Sequence, residues 1–155
     1  MKKIIAVLLA AMFILPATLV NAAEYDPANL IINGEVFVIP DPAPGEAPLG
    51  EIFTYQGRIW LPVRVVFNFF GMGVDYDPQD RQIVAAGTDT LVLMQIGSKT
   101  MFAANSEGED LITMDVAPFT REGEGRTYVP AAYLAKVLGY DVSWDEDTHT
   151  ATFTK

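Results

Sequence analysis

With 155 residues and 17.0 kDa, the chain is sized for one domain and is too short for a catalytic domain joined to a separate substrate domain. Half of it is hydrophobic, which excludes a disordered chain, and 20 Asp and Glu against 10 Lys and Arg give a formal charge of -10 that repels nucleic acid. Cysteine is absent, so disulfides, thiolate nucleophiles, Cys-ligated zinc and a lipidated N-terminal Cys are excluded together.

The first residues have the form of a signal peptide. Lys2 and Lys3 make a positive start, Ile4 to Leu15 is almost wholly apolar, and Val20-Asn21-Ala22 supplies small residues for cleavage before Ala23. The competing assignment is a membrane anchor, because Ile4 to Val20 just reaches a spanning length; Pro16 and the acidic Glu24 and Asp26 favour cleavage. Residues 1–22 are thus expected to be a signal peptide and 23–155 a mature domain, secreted or at the cell surface and outside the membrane once cleaved. An exported domain without disulfides relies on its core alone, which fits bacterial secretion.

In the mature part, Leu30 to Ile32 and Glu35 to Ile39 flank Asn33-Gly34, a hairpin signal, and Pro40 to Pro48 is a stiff, proline-rich loop. Arg58 to Leu61 should be extended, because residues ahead of proline avoid helical geometry. Val63, Val66, Phe67 and Phe70 then follow helical spacing, with Pro62 expected at the first helical position and Gly71 at a left-handed stop. Val74 and Tyr76 alternate with Asp75 and Asp77, and Ile83 opens the return strand of a hairpin. Leu91 to Ile96, Thr100 to Ala103 and Leu111 to Val116 read as further strands. Arg126 to Val129, the helical set Ala131, Leu134, Ala135 and Leu138, the stop Gly139, and the hairpin from Val142 and Trp144 to Ala151 and Phe153 close the chain.

These last elements restate earlier ones. At an offset of 68, Gly57-Arg58-Ile59-Trp60-Leu61-Pro62 falls on Gly125-Arg126-Thr127-Tyr128-Val129-Pro130, and Gly71, Val74, Tyr76 and Asp77 fall on Gly139, Val142, Trp144 and Asp145. The period is longer than a typical solenoid repeat and occurs twice, so the expectation is one internally duplicated domain with copies at about 29–88 and 91–155. The fold class expected is α+β: mainly antiparallel sheet with two short amphipathic helices.

The doubled motif resembles the copper amine oxidase N-terminal-like domain. The residues that carry the likeness are Ile32-Asn33-Gly34; Gly57-Arg58 through Leu61-Pro62-Val63-Arg64 to Phe70-Gly71; Val74, Tyr76 and Asp77; Leu91, Leu93 and Ile96-Gly97-Ser98; and Gly125-Arg126 through Pro130 to Leu138-Gly139, with Val142 to Asp145. The resemblance implies an exported, stalk-type module of bacterial surface proteins. It does not imply amine oxidation, because the copper and quinone chemistry belongs to a different domain. The chain departs from the pattern at Ala132, where the first copy has Arg64 and the family often has Arg, and in the proline-rich loop from 40 to 48.

Few residues suggest catalysis. His149 is the only histidine, which excludes a multi-imidazole copper site or a paired-His zinc site within one chain, and it reads as a surface strand residue. No phosphate loop, nucleophile elbow or dinucleotide fingerprint occurs, and Met72, Met94, Met101 and Met114 are too dispersed to bind copper. Asp75, Asp77 and Asp80, with Asp141, Asp145, Glu146 and Asp147 in the second copy, gather at equivalent turns. Solvated turn residues are the simpler account of them; calcium ligation or a glycosidase acid–base pair are the alternatives.

Arg58 with Asp77, and Arg126 with Asp145, are candidate structural ion pairs. Trp60, Tyr128 and Trp144 are candidate binding residues that could stack on sugars, weighed against a core role for Tyr76 and Trp144. The function expected is a non-catalytic binding or spacer module without a cofactor, whose partner is a cell-wall polysaccharide or a surface protein. A small acidic hydrolase and a calcium-stabilised adhesion domain are the rivals.

Overall fold

The computed structural model describes residues 24–155; the expected signal peptide lies outside them. In chain order the elements begin with β1 (Asp26–Pro27), β2 (Asn29–Ile32), β3 (Glu35–Phe37), β4 (Phe53–Tyr55) and β5 (Arg58–Pro62), which leads into helix α1 (Val63–Phe69). Then come β6 (Gly73–Asp77), β7 (Gln82–Ala86), β8 (Thr90–Gln95), β9 (Thr100–Asn105), β10 (Gly108–Thr113) and β11 (Phe119–Arg121). The last are β12 (Arg126–Pro130), helix α2 (Ala131–Leu138), β13 (Asp141–Asp145) and β14 (Thr150–Thr154). The result is mostly antiparallel sheet with two short helices.

The strands form three sheets, in the orders β1-β4-β5-β12-β11, β10-β9-β8-β7-β6 and β13-β14-β2-β3. At the middle of the first, β5 and β12 run antiparallel with Leu61 opposite Val129, Trp60 opposite Pro130 and Pro62 opposite Tyr128. Leu61 and Val129 are 68 residues apart, so the residues that matched along the sequence meet across this one pairing. Each strand passes directly into its helix, and each helix packs on both β5 and β12.

α1 is rich in β-branched valines, which are mediocre helix formers, so burial sustains it more than propensity does. Val63, Val66 and Phe67 are buried from α1, and Ala131, Leu134, Ala135 and Val137 from α2. Both prolines stand one position before the place expected for them, as extended N-caps that make no side-chain cap. Both helices stop alike: Gly71 and Gly139 take left-handed backbone at φ 75° and 73°, and Met72 and Tyr140 donate back to the Phe67 and Ala135 carbonyls. The hairpins that follow also match, with Arg81 and His149 both left-handed at φ 54° and 49°. His149 is therefore a turn residue, not the surface strand residue expected.

Two further expectations are corrected. β10 covers Gly108–Thr113 where a strand over Leu111 to Val116 was expected, because β10 pairs with β9 from the Asn105–Gly108 turn outward. β14 pairs in parallel with β2, Thr150 facing Asn29 and Phe153 facing Ile32, an end-to-end closure that hairpin logic does not foresee. The backbone N–H of Lys155 donates to the Asn33 side chain at 3.0 Å and holds this closure.

One core surrounds the two helices, and a second, aromatic one gathers Phe53, Trp60 and Tyr128 with Tyr25, Tyr55 and Phe119. Arg121 seals the second core, with its guanidinium 4.4 Å from the Tyr25 ring centre and paired with Glu51 and Glu124. Gly50 lies against it at φ 107°, where an added Cβ would stand 2.9 Å from the Tyr128 hydroxyl and 3.0 Å from Pro62. Gly50→Ala should therefore lower stability by about 1–3 kcal/mol through strain and crowding together, read as a lower denaturation midpoint; an unchanged midpoint would contradict this packing.

Candidate functional site

A cleft of about 740 Å³ opens between α2, the β13–β14 hairpin and the turn joining β4 to β5. That turn is tight because Gln56 and Gly57 both take left-handed backbone, at φ 51° and 71°, the pair a two-residue hairpin needs. It projects Tyr55 and Arg58 into the cleft wall. Arg58 donates to the Gln56 carbonyl at 3.0 Å and pairs with Asp115. Asp115 accepts the Tyr133 hydroxyl at 2.8 Å and returns its own backbone N–H to the Tyr133 oxygen at 2.9 Å. One carboxylate thus ties the turn, the segment after β10 and helix α2 together.

The Arg58 hydrogen bond, and after it the Tyr133 hydroxyl, hold the Asp115 carboxyl below its usual range. It is therefore an ionised anchor at neutral pH and unsuited to donate a proton as a general acid. Its stabilising effect is present above the ordinary carboxylate range and fades as acid carries the pH through the lowered value.

Trp144 forms the opposite wall. Its Nε1–H donates to Glu146 Oε2 at 2.6 Å, and its ring centre lies 6.0 Å from that of His149. The ring is 39% exposed, and Tyr76, its counterpart on β6, is 44% exposed, so the expected core role fails for both. The reason is that β6 and β13 are sheet edges: the returning strands β7 and β14 turn Ile83, Ala85, Ala151 and Phe153 inward instead.

The other two candidate binding residues are buried. Trp60 is 2% exposed and Tyr128 0%, both packed in the aromatic core, so neither offers a stacking surface. Trp60 donates to the Tyr55 carbonyl at 3.0 Å, while the Tyr128 hydroxyl donates to Glu124 at 2.7 Å and accepts the Glu51 N–H.

The expected ion pairs are also replaced. Arg58 reaches Asp115 rather than Asp77, and Arg126 donates to the Pro48 and Ala47 carbonyls rather than to Asp145. Asp77 and Asp145 instead accept backbone N–H groups two residues on, from Gln79 and Asp147, and so nucleate their own turns. Among the described residues, no three acidic or histidine side chains converge as a metal site would require. Sequence reasoning missed Asp115 and Tyr133, which no periodicity singles out. The signal it did contain was the mismatch of Ala132 with Arg64.

This fold, with its paired strand–helix units, is matched by the family model of the copper amine oxidase N-terminal domain over residues 47–153. The chain belongs to that family. In copper amine oxidases this domain is a non-catalytic module. No curated protein and no solved structure matches the chain.

Burial first, and then the bond to Glu124, push the Tyr128 hydroxyl up to about 12. The folded state thus keeps a proton that the unfolded chain releases near 10, so this contribution is whole below pH 10 and lost as pH climbs towards 12. Denaturation measured across that window should show a fall in stability that Tyr128→Phe flattens; the same slope in both proteins would contradict the burial of this hydroxyl.

Proposed function

We propose that this chain is an exported, non-enzymatic binding and spacer module of the cell exterior, built by duplication of one strand–helix–hairpin unit. Membership of a family whose namesake domain is non-catalytic supports the first part. The meeting of matched residues at Leu61 and Val129, and the shared helix stops and turns at offset 68, support the second. The positive and apolar run from Lys2 to Leu15 supports export, with cleavage before Ala23.

One observation carries the binding role: a broad cleft walled by an exposed, hydrogen-bonded tryptophan, the one of the three candidate binding residues that is not buried. The partner is a component of the cell envelope, a wall polysaccharide or a surface protein, that seats against Trp144.

Two measurements check this. N-terminal sequencing of the protein from culture medium or envelope should begin at Ala23; an intact Met1 start would contradict cleavage. Sedimentation with isolated envelopes should retain the protein and lose most of the Trp144→Ala variant; equal behaviour of the two would contradict a binding role for the cleft.

A further inference from the structure

We infer that the cleft beside α2 is a receptor for an arginine side chain of a partner polypeptide, a position that the first half of the molecule fills with its own Arg64. The inference rests on the binding-module proposal above and names the ligand chemistry of the same cleft.

Arg64, the second residue of α1, donates Nη1 to the Val74 carbonyl at 2.7 Å and so caps the free edge of β6. The second residue of α2 is Ala132, whose methyl group has nothing to donate. The carbonyl that corresponds to that of Val74 belongs to Val142, and the hairpins share one register: Val74 faces Ala85, and Val142 faces Phe153. β13 is an edge strand as β6 is, so the Val142 carbonyl is offered outward in the same way. Ala132 and Val142 both line the cleft. A missing guanidinium therefore leaves both a volume and an acceptor.

The surroundings suit a planar cation. Trp144 presents an indole face two residues along β13, and Glu146 holds that ring through Nε1 while keeping a second carboxylate oxygen for a donor. A guanidinium can stack on the indole and divide its N–H groups between a carbonyl and a carboxylate, which a compact ammonium does less well. The cleft's own cations are already engaged, Arg58 with Asp115 and Lys136 with Asp110. Its carboxylates Asp26 and Glu146 have no cationic partner among the described residues. A formal charge of -10 draws a basic segment in and repels an anionic wall polymer.

Calorimetric titration of the protein with an end-blocked tri-arginine peptide tests this, with end-blocked tri-lysine and a hexamer of N-acetylglucosamine as the other probes. Saturable binding of tri-arginine is expected, weakened in about 0.5 M salt and weakened roughly tenfold or more by Trp144→Ala. Ala132→Arg places a helix-compatible residue at an exposed position, so it should fold with a melting temperature close to the parent's and lose tri-arginine binding by self-occupancy. Undiminished tri-arginine binding by Ala132→Arg would overturn the inference, as would equal affinity for tri-lysine. Binding of the sugar hexamer alone would overturn it while leaving the binding-module proposal standing. Silence of all three probes, together with Trp144-independent envelope retention, would remove both.

Discussion

The antiparallel seam between β5 and β12 is the constraint from which the rest of the molecule follows. Pro62 lies opposite Tyr128 and Pro130 opposite Trp60, and a proline has no N–H to give to a ladder. Each strand therefore stops pairing where its proline falls, and the chain turns at once into a helix whose first residue is apolar and buried. Because each helix packs across both strands of the seam, neither half can complete its core without the other. Leu61, Val129, Val66, Phe67, Leu134 and Ala135 are all fully buried around this junction, in keeping with its central place.

The same seam decides which aromatic residues are buried. Trp60 and Tyr128 lie in its strands and are committed to the interior, where their polar atoms find partners at Tyr55 and Glu124. The exposed rings of Tyr76 and Trp144 belong to the hairpins at the periphery. There the two halves are unequal: β7 continues into the antiparallel β8, whereas β14 is joined in parallel by β2, and α1 carries Arg64 where α2 carries Ala132. One half closes its own hairpin edge, and the other leaves a cleft.

Legibility followed the range of the physics involved. The helix stops at Gly71 and Gly139 and the turn at Asn33-Gly34 could be read because a left-handed backbone makes a local demand on residue type. The buried faces of both helices could be read from their spacing. Trp60 and Tyr128, candidates for an exposed surface, are buried, and Tyr76 and Trp144, weighed as core, are exposed, because strand alternation separates two faces without saying which is covered. That choice belongs to the stacking of whole elements: the returning strands β7 and β14, and not the outgoing β6 and β13, lie on the core. The Asp115–Tyr133–Arg58 link and the parallel union of β14 with β2 join residues far apart in sequence, so no local pattern announces them. Ala132 was visible as a mismatch, but it acquired meaning only beside the bond that Arg64 makes.

Native-state hydrogen exchange, resolved by residue, tests the interlocked seam most directly. If the two halves share one core, the slowest amides of α1, α2, β5 and β12 should open with a single free energy equal to that of global unfolding. An α2 or β13–β14 unit that opens separately, at a clearly lower free energy than α1 and β6–β7, would contradict the account.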